Sequence, residues 1–259
     1  MLLDEILTSS SRELALKKKQ RPLKELQRLA AGQPPPLDFA AALRGERLRL
    51  IAEFKRASPS KGAIRAGASP EEVIPIYASS GAAAISVLTE TGYFRGSPGD
   101  LLAARQALRG KRLPLLRKDF IFDPYQVYES RAYGADALLL IVAVLDGEKL
   151  EALLKLAHQL GMACLVETHH QSEVATALAN GAKIIGINNR DLGTFKVNLA
   201  TTARLKPLIP PDRITVAESG LKERRDIEKM RELGVDAVLI GEALMTAPDI
   251  AARIRELGF

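Results

Sequence analysis

The chain has 259 residues, 47% of them hydrophobic, which is enough to bury one large core and excludes an intrinsically disordered protein. It carries 37 Lys and Arg against 31 Asp and Glu, a net charge of +6. The surplus lies in residues 1–65, which hold 14 basic and 7 acidic side chains. Any tendency to bind anions is therefore concentrated in the first quarter of the chain.

The sequence also indicates where the protein works. Its single cysteine, Cys164, cannot form an internal disulfide, and Asp4 and Glu5 stand where a secretory leader carries positive charge. The longest uninterrupted apolar run, residues 137–145, is shorter than the roughly 20 residues of a membrane-spanning helix. We therefore expect a soluble, cytoplasmic protein with no membrane partner.

Four similar phrases divide the chain, and each joins a helix-ending glycine to an apolar run. They begin at Gly81, Gly134, Gly181 and Gly234. Four more short apolar runs lie between them, at residues 48–52, 113–116, 162–166 and 214–217. The pattern predicts eight strands that alternate with helices.

The segments between these runs have apolar residues at helical spacing and polar residues where helices begin. Three Ser-Pro or Asp-Pro pairs place a capping side chain before a proline in the first turn. Pro75 falls inside one predicted helix and should kink or shorten it. The predicted capping residues are Ser69, Ser97, Asp123, Asp146 and Ser172.

Eight nearly continuous apolar runs without tight hairpins favour parallel strands buried on both faces. A single (β/α)8 barrel, the TIM-barrel fold, fits about 250 residues. The alternative is an open doubly wound sheet, but its Gly-x-Gly-x-x-Gly fingerprint does not follow the first strand. We assign residues 48–259 to the barrel and residues 1–47 to a helical N-terminal extension.

Polar residues end five of the predicted strands, and in such a barrel the carboxyl ends of all strands meet at one mouth. We therefore predict an active site there. Lys55, Lys118 and Arg190 would bind negative charge, whereas Glu53 and Glu167 would transfer protons. The residues at the five ends include Glu53, Lys55, Ser58, Lys118, Asp119, Glu167, Asn188, Arg190, Glu218, Ser219 and Gly220.

The loops after the last two strands predict a phosphate site. Gly220 and Gly241 would let backbone amides approach an anion, and a short helix beginning near Glu242 would point its positive end there. The Glu242 carboxylate would have to turn outward and offer only its amide. A simple turn role for either glycine alone is the competing interpretation.

The remaining nucleophiles and metal-ligand types form no cluster in the sequence. His169 and His170 lack cysteines or suitably spaced carboxylates, so we predict helix capping or loop exposure for them and no metal site. Cys164 is expected to be a small core residue.

Four motifs closely resemble the indole-3-glycerol-phosphate synthase family of tryptophan biosynthesis, and the similarity covers nearly the whole chain. They are residues 51–62 (IAEFKRASPSKG), 115–121 (LLRKDFI), 186–192 (GINNRDL) and 217–220 (AESG). The resemblance implies a carboxy-lyase that cyclises, decarboxylates and dehydrates 1-(2-carboxyphenylamino)-1-deoxyribulose 5-phosphate. It calls for no organic cofactor or metal, because loss of carbon dioxide restores aromaticity.

The resemblance also implies roles for individual residues. Lys118 would be the acid of ring closure and Lys55 an acid or a carboxylate partner, while Glu53 and Glu167 would handle the protons of dehydration. The step at which each of the four acts stays open. Asn188, in the catalytic set, and Arg190 would position the substrate and orient the glutamates. Further substrate contacts are expected from Ser58 and Phe94 beside the anthranilate ring and from Glu218 and Ser219; phosphate contacts are expected from Lys55, Gly220, Gly241 and Glu242.

The sequence leaves two rival functions open. One is another phosphosugar barrel, an isomerase or a Schiff-base aldolase with Lys118 as nucleophile. The other is a nucleic-acid binder using the basic residues 17–24, but that segment has no interleaved aromatic residues. We expect a small phosphosugar substrate, no nucleic-acid partner and a monomer.

The extension carries an apolar stripe that includes Leu3, Ile6 and Leu14 and needs a surface to cover. We expect it to pack near the barrel mouth, where its basic residues would help to hold the phosphosugar and exclude water. Since all eight predicted strands lie beyond residue 47, the barrel core should be complete without residues 1–43.

Overall fold

The structure, a computed structural model, describes residues 2–108 and 110–259 and contains a closed barrel of parallel strands. Each strand pairs with the next along the chain, and the last pairs with the first, with Leu50 opposite Val238. The predicted (β/α)8 barrel is confirmed. Its strands are β1 (Arg49–Phe54), β2 (Ala84–Leu88), β3 (Leu115–Lys118), β4 (Ala137–Ile141), β5 (Ala163–Thr168), β6 (Ile184–Asn188), β7 (Ile214–Glu218) and β8 (Ala237–Ile240).

The strands are buried on both faces, which explains their almost continuous apolar sequence. Alternate residues point to opposite sides of the sheet. Ile51 and Leu116 face the inside of the barrel, whereas Leu50 and Leu115 pack between the barrel wall and the surrounding helices. Two separate apolar clusters result, one inside the barrel and one around it.

Helices cover the outside of the barrel, and most begin where the sequence predicted. Ser69, Ser97 and Asp123 each close a capping box, and Asp146 accepts a hydrogen bond from the backbone N–H of Lys149 at 2.8 Å. The helices are α1 (Leu2–Gln20), α2 (Leu23–Ala31), α3 (Phe39–Leu43), α4 (Pro70–Ser79), α5 (Pro98–Ala107), α6 (Pro124–Ala132), α7 (Gly147–Gln159), α8 (Gln171–Ala179), α9 (Ala200–Leu205), α10 (Arg224–Glu232), α11 (Glu242–Met245) and α12 (Ile250–Leu257).

The structure corrects two details of the predicted helices. Ser172 lies inside α8, whose N-cap is His170, so it does not cap that helix. Of the two effects predicted for Pro75, a kink or a shortened helix, the shortening does not occur: α4 continues through Pro75, with Ile74 and Tyr77 fully buried on either side. Tertiary packing of this helix face therefore outweighs the missing backbone donor of the proline.

Several strands extend further towards the barrel mouth than the apolar runs alone predicted. The first run ends at residue 52, whereas β1 continues to Phe54 and contains Glu53. Similarly, β3 ends on Lys118 and β7 on Glu218. These polar side chains are therefore held by the sheet and not by mobile loops, which fixes their direction.

The N-terminal extension contacts the barrel along its length. Leu3 and Ile6 of α1 lie over the mouth, where they line the central cavity. Helix α2 packs beside α6, burying Leu26. Phe39 and Leu43 of α3 join the cluster inside the barrel at the end where the strands begin. The extension thus covers the mouth, one side and the opposite end.

Two expectations about this segment are wrong. The barrel core is not complete without residues 1–43, because Phe39 and Leu43 are almost fully buried inside it. The basic residues of α1 do not face the cavity either. Lys17 lies 3.7 Å from Glu129 in helix α6, and Lys18 lies 2.7 Å from Asp123, the N-cap of that helix. Their charges hold α1 against α6.

The α3 contact generates a stability prediction. Phe39→Ala should destabilise the protein by about 3 to 5 kcal/mol, because it leaves a cavity inside the barrel at the end where the strands begin. The matched control is Leu16→Ala on α1, a side chain that is 58% exposed and whose loss should change stability by about 0.5 kcal/mol or less. Urea unfolding of both variants measures the difference. Equal stability of the two variants would contradict a structural role for α3.

Candidate active site

The central cavity lies at the carboxyl ends of the strands, as predicted, and has a volume of about 380 Å³. Its polar lining comes mainly from residues that share the inward-facing positions of their strands. All thirteen residues singled out in the sequence for catalysis, substrate or phosphate line this one cavity. They are Glu53, Lys55, Ser58, Phe94, Lys118, Glu167, Asn188, Arg190, Glu218, Ser219, Gly220, Gly241 and Glu242. Asp119, which follows Lys118 in the same motif, also lines it.

Lys118 is the centre of the charged cluster. Its ammonium nitrogen lies 3.0 Å from Glu167 Oε2 and 3.5 Å from Glu218 Oε2. Burial alone would lower the pKa of Lys118, but the surrounding carboxylates Glu167, Glu218 and Glu53 outweigh it and raise that pKa above its ordinary value. Lys118 is therefore an ammonium group at neutral pH.

Glu53 and Lys55 form a second ion pair at the mouth. Glu53 is buried in β1, and its Oε1 lies 2.9 Å from Lys55 Nζ. The buried Tyr77 hydroxyl of α4 donates a hydrogen bond to the backbone carbonyl of Glu53 at 3.0 Å. This bond fixes the end of β1, from which Glu53 points inward.

Glu218 is a carboxyl group with few partners. Both of its oxygens are buried without a hydrogen bond from any described residue, although Oε2 faces Lys118. Burial is the main cause that raises the pKa of Glu218 to about 8; Lys118 opposes the shift and Glu167 adds to it. Gly186 in β6 makes room for this side chain, since a Cβ there would overlap Glu218 Oε1.

The pKa of Glu167 is shifted in the opposite direction to that of Glu218. Burial would raise its pKa, but Lys118, His169 and a hydrogen bond from the Asn188 side chain lower it below the usual range. The cavity therefore holds one firmly ionised carboxylate, Glu167, and one carboxyl group that is largely neutral at pH 7, Glu218. Two carboxyl groups with pKa values pushed apart are typical of acid–base catalysis.

Arg190 joins three loops around the mouth. It donates hydrogen bonds to the Phe195 carbonyl at 3.1 Å and to Ser60 Oγ at 3.4 Å, and it lies 3.7 Å from Glu242 Oε2. Asn188 supports it, because its Oδ1 accepts a hydrogen bond from the Arg190 backbone N–H at 3.0 Å. The guanidinium is thus placed at the rim with only part of its donors used.

Ser58 and Phe94 lie on the wall formed by the loops after β1 and β2. The Phe94 ring packs at 6.4 Å from the Phe120 ring. The Glu90 carboxylate accepts hydrogen bonds from the backbone N–H groups of Tyr93 and Phe94, at 2.8 and 2.9 Å, and so fixes this loop. Together with Leu3 and Ile6 of the extension, these residues give the cavity an apolar side suited to a flat ring.

Both glycines of the predicted phosphate loops lie close to other side chains. Gly220 has a φ of +80°, and a Cβ there would overlap Val197, while a Cβ at Gly241 would overlap Glu53 Oε1. The short helix α11 begins at Glu242, as expected. The expectation that Glu242 turns outward is wrong, because its carboxylate lines the cavity 3.9 Å from Lys61 and 3.7 Å from Arg190.

His169 is the polar residue that sequence reasoning misplaced. It is not an exposed or capping residue: its side chain is buried, and its Nε2 lies 3.4 Å from Glu167 Oε1. The signal was present, since residues two apart at a strand end share one side of the sheet. His170, in contrast, is exposed at the N-cap of α8.

Three further observations concern residues outside the cluster. Cys164 is buried in β5, as expected of a core residue, and burial raises the pKa of its thiol. Within residues 2–108 and 110–259, no group of three or more His, Cys, Asp or Glu side chains is arranged to hold a metal ion. Over the same residues, no helix combines the length and apolar character needed to cross a membrane.

A closed parallel barrel whose strand ends carry paired lysines and glutamates defines a (β/α)8-barrel enzyme with an acid–base active site. A family model described as indole-3-glycerol phosphate synthase matches residues 3–257. The chain belongs to the indole-3-glycerol phosphate synthase family. The predicted function, a carboxy-lyase of tryptophan biosynthesis, is thereby confirmed.

Individual relatives agree with the family match. An indole-3-glycerol phosphate synthase from Dehalococcoides mccartyi (strain CBDB1) is 56% identical over 258 residues, which cover 99% of this chain and 100% of that protein. The corresponding protein of Roseiflexus sp. (strain RS-1) is 51% identical and covers 99% and 98%. Among solved structures, 3-hexulose-6-phosphate synthase from Salmonella typhimurium has a TM-score of 0.63 at 14% identity, covering 81% of this chain and 96% of that one. This last likeness shows the barrel fold alone.

The raised pKa of Glu218 predicts a pH-dependent stability. Between about pH 4.5 and about pH 8 the folded protein holds a proton on Glu218 that the unfolded chain has released. The contribution of Glu218 to the free energy of unfolding is therefore full below that window and is lost as the pH rises through it. Glu218→Gln cannot ionise and should become progressively more stable than the parent protein from pH 5 to pH 9. Thermal unfolding across that range measures the gap. The exposed Glu232→Gln is the control; a pH-independent gap for Glu218→Gln would contradict the prediction.

Proposed function

We propose that this chain forms indole glycerol phosphate from 1-(2-carboxyphenylamino)-1-deoxyribulose 5-phosphate, with Lys118 as the acid of ring closure. The observation that carries the proposal is the buried Lys118 ammonium between Glu167 and Glu218 at the inner end of the cavity. The family name supports the product, and the cavity supports the assignment of roles. Formation of the product, followed by its new indole absorbance, is the direct test.

Ring closure requires the aromatic carbon of the substrate to attack a ketone. The electron pair of the C=O bond moves to oxygen, and an acid must give that oxygen a proton. Lys118 carries both a charge and a proton there: its raised pKa keeps it an ammonium group, and its burial strengthens the field that stabilises the forming alkoxide, which then takes the proton. The same property argues against a Schiff-base aldolase, since the nucleophile there must be a neutral amine. Borohydride should accordingly trap no adduct at Lys118.

The later steps fit the two remaining pairs. Loss of carbon dioxide restores the aromatic ring, so the proposed chemistry needs no organic cofactor or metal. Dehydration needs an acid on the departing hydroxyl and a base for the proton of the ring nitrogen or carbon. Glu167, which is held ionised, fits the base, and the Glu53–Lys55 pair fits the acid.

Substrate binding is assigned to the rim of the cavity. Arg190, Glu218 and Ser219 would contact the polar part of the substrate, with Asn188 orienting Glu167. Ser58 and Phe94 would enclose the anthranilate ring. Lys55 and the amides of Gly220, Gly241 and Glu242 would bind the phosphate, and the Glu242 carboxylate would have to leave Arg190 or Lys61 when the dianion enters.

We assign residues 1–47 to the extension and residues 48–259 to the catalytic barrel, and we place the protein in the cytoplasm, where its single cysteine stays reduced. A monomer is supported by the scattered character of the large exposed apolar side chains among the described residues. A nucleic-acid partner is disfavoured because Lys17 and Lys18 are paired with carboxylates.

Lys118→Met tests the acid role. The substitution keeps the volume but removes the proton and the charge, so turnover should fall by about 10² to 10⁴. Steady-state assays of indole glycerol phosphate formation measure it, with the exposed Lys149→Met as control. A loss of tenfold or less would transfer the acid role to Lys55.

The two phosphate glycines should respond differently to enlargement. Gly220→Val blocks the approach of the anion and should raise KM more than it lowers kcat. Its new side chain would overlap Val197 of the neighbouring loop, which has no proposed role in catalysis. Gly241→Val should lower kcat as well, since the new side chain displaces the Glu53 carboxylate. The control is Gly147→Ala, which meets no atom within 4 Å. Unchanged KM in both valine variants would place the phosphate elsewhere.

A further inference from the structure

His169 occupies a buried position between two carboxylates just beyond the end of β5. Its backbone N–H donates a hydrogen bond to Glu173 Oε2 at 2.6 Å, and its Nδ1 lies 3.2 Å from the same oxygen. Its Nε2 faces Glu167 Oε1 at 3.4 Å and has no other polar partner among the described residues. Glu173 therefore fixes the imidazole ring in a direction that points at a cavity carboxylate.

The environment makes this ring a cation. Burial alone would lower the pKa of His169, but Glu167 and Glu173 outweigh it and raise that pKa to about 10. Both ring nitrogens then carry protons at neutral pH, one facing each carboxylate. The Glu167 carboxylate consequently lies between two cations, with Oε2 at Lys118 and Oε1 at His169.

Several other polar groups lie around His169 and Glu167, on the elements packed against them. Lys118 on β3 is the second cation, and Glu218 on β7 and Glu53 on β1 are acids facing it. Asn188 on β6 donates a hydrogen bond to Glu167, and the exposed His170 has its ring centre 6.4 Å from that of His169. Among these, only His169 and Lys118 lie at ion-pair distance from Glu167 as cations.

We propose that His169, held by Glu173, is a positioning residue that keeps the Glu167 carboxylate oriented and ionised throughout the reaction. The inference rests on the proposed function, in which Lys118 gives up a proton during ring closure. Once that proton has left, Lys118 is a neutral amine and no longer balances the charge of Glu167. The imidazolium then remains as the fixed cation beside the carboxylate that must accept a proton in dehydration.

The present distance is consistent with this role. A separation of 3.4 Å is an ion-pair contact without hydrogen-bond geometry, and such contacts tighten when substrate closes a site. A shift of about 0.5 Å of the Glu167 side chain would bring Oε1 into hydrogen-bond range of Nε2. The ring itself does not need to move, because Glu173 holds its opposite side.

Kinetics of two variants separate charge from orientation. His169→Gln retains a neutral N–H donor near the Nε2 position, whereas His169→Leu retains neither donor nor charge. We expect kcat to fall about tenfold or more in His169→Leu and less in His169→Gln, with KM changed little in both. The acid limb of the kcat profile should move up by about one pH unit or more in both, because Glu167 loses a neighbouring cation. The matched control is His170→Gln at the neighbouring residue, which should change neither kcat nor the acid limb of the kcat profile.

The charge of the ring is measured independently by NMR. The chain has only three histidines, so the ring signals of His169 can be assigned by comparison with His169→Gln. They should remain those of an imidazolium from pH 5 to pH 8, and Glu173→Gln should bring the titration of His169 into or towards that range. A ring that is neutral at pH 7 in the parent protein would overturn the proposal, even if the His169 variants fail to fold.

The outcomes distinguish this inference from the proposed function. If the parent protein forms no indole glycerol phosphate, the proposed function fails and so does the positioning role that depends on it, while the NMR result still reports the charge of His169. If the parent protein is active but His169→Leu keeps its kcat and its acid limb, the positioning role alone is overturned. Loss of kcat with an unmoved acid limb, and no recovery in His169→Gln, would indicate a merely structural residue and also overturn it.

Discussion

Closure of the parallel barrel is the constraint on which the rest of the molecule depends. Because β8 pairs with β1 in the same direction as all other neighbours, the carboxyl ends of the strands form one ring. In β3 and β7 the inward positions are apolar until the last residue, which is charged: Leu116 is followed by Lys118 and Val216 by Glu218. The apolar layers beneath exclude water, so the ion pairs above them act in a low dielectric.

Much of this arrangement was predictable from residue order. Glycine-led repeats and apolar runs gave the number of strands, and the residues ending those runs gave most of the cavity lining. The strand ends themselves were less predictable, because Glu53 and Lys118 do not resemble strand residues by hydropathy and are in the sheet only through pairing with neighbouring strands. Such long-range pairing is invisible in a local window.

The less predictable features are interactions between segments distant in sequence. His169 was interpreted by its neighbours in the chain, whereas its burial and charge depend on Glu167, Glu173 and the surrounding barrel. In the same way, the lysines of α1 indicated an anion site by composition, and their partners on α6 became evident only in three dimensions. Charge patterns thus located the ionic residues correctly but did not identify their partners.

The buried α3 segment also imposes an order on synthesis of the protein. Phe39 belongs to the first sixth of the chain, yet the cluster around it includes Ile214 and Ala237 from the last two strands. A nascent chain cannot complete that cluster until almost all of the barrel has left the ribosome. Until then the α3 side chains are apolar surface open to chaperones or to other nascent chains, and barrel closure and protection of this segment occur as one late event.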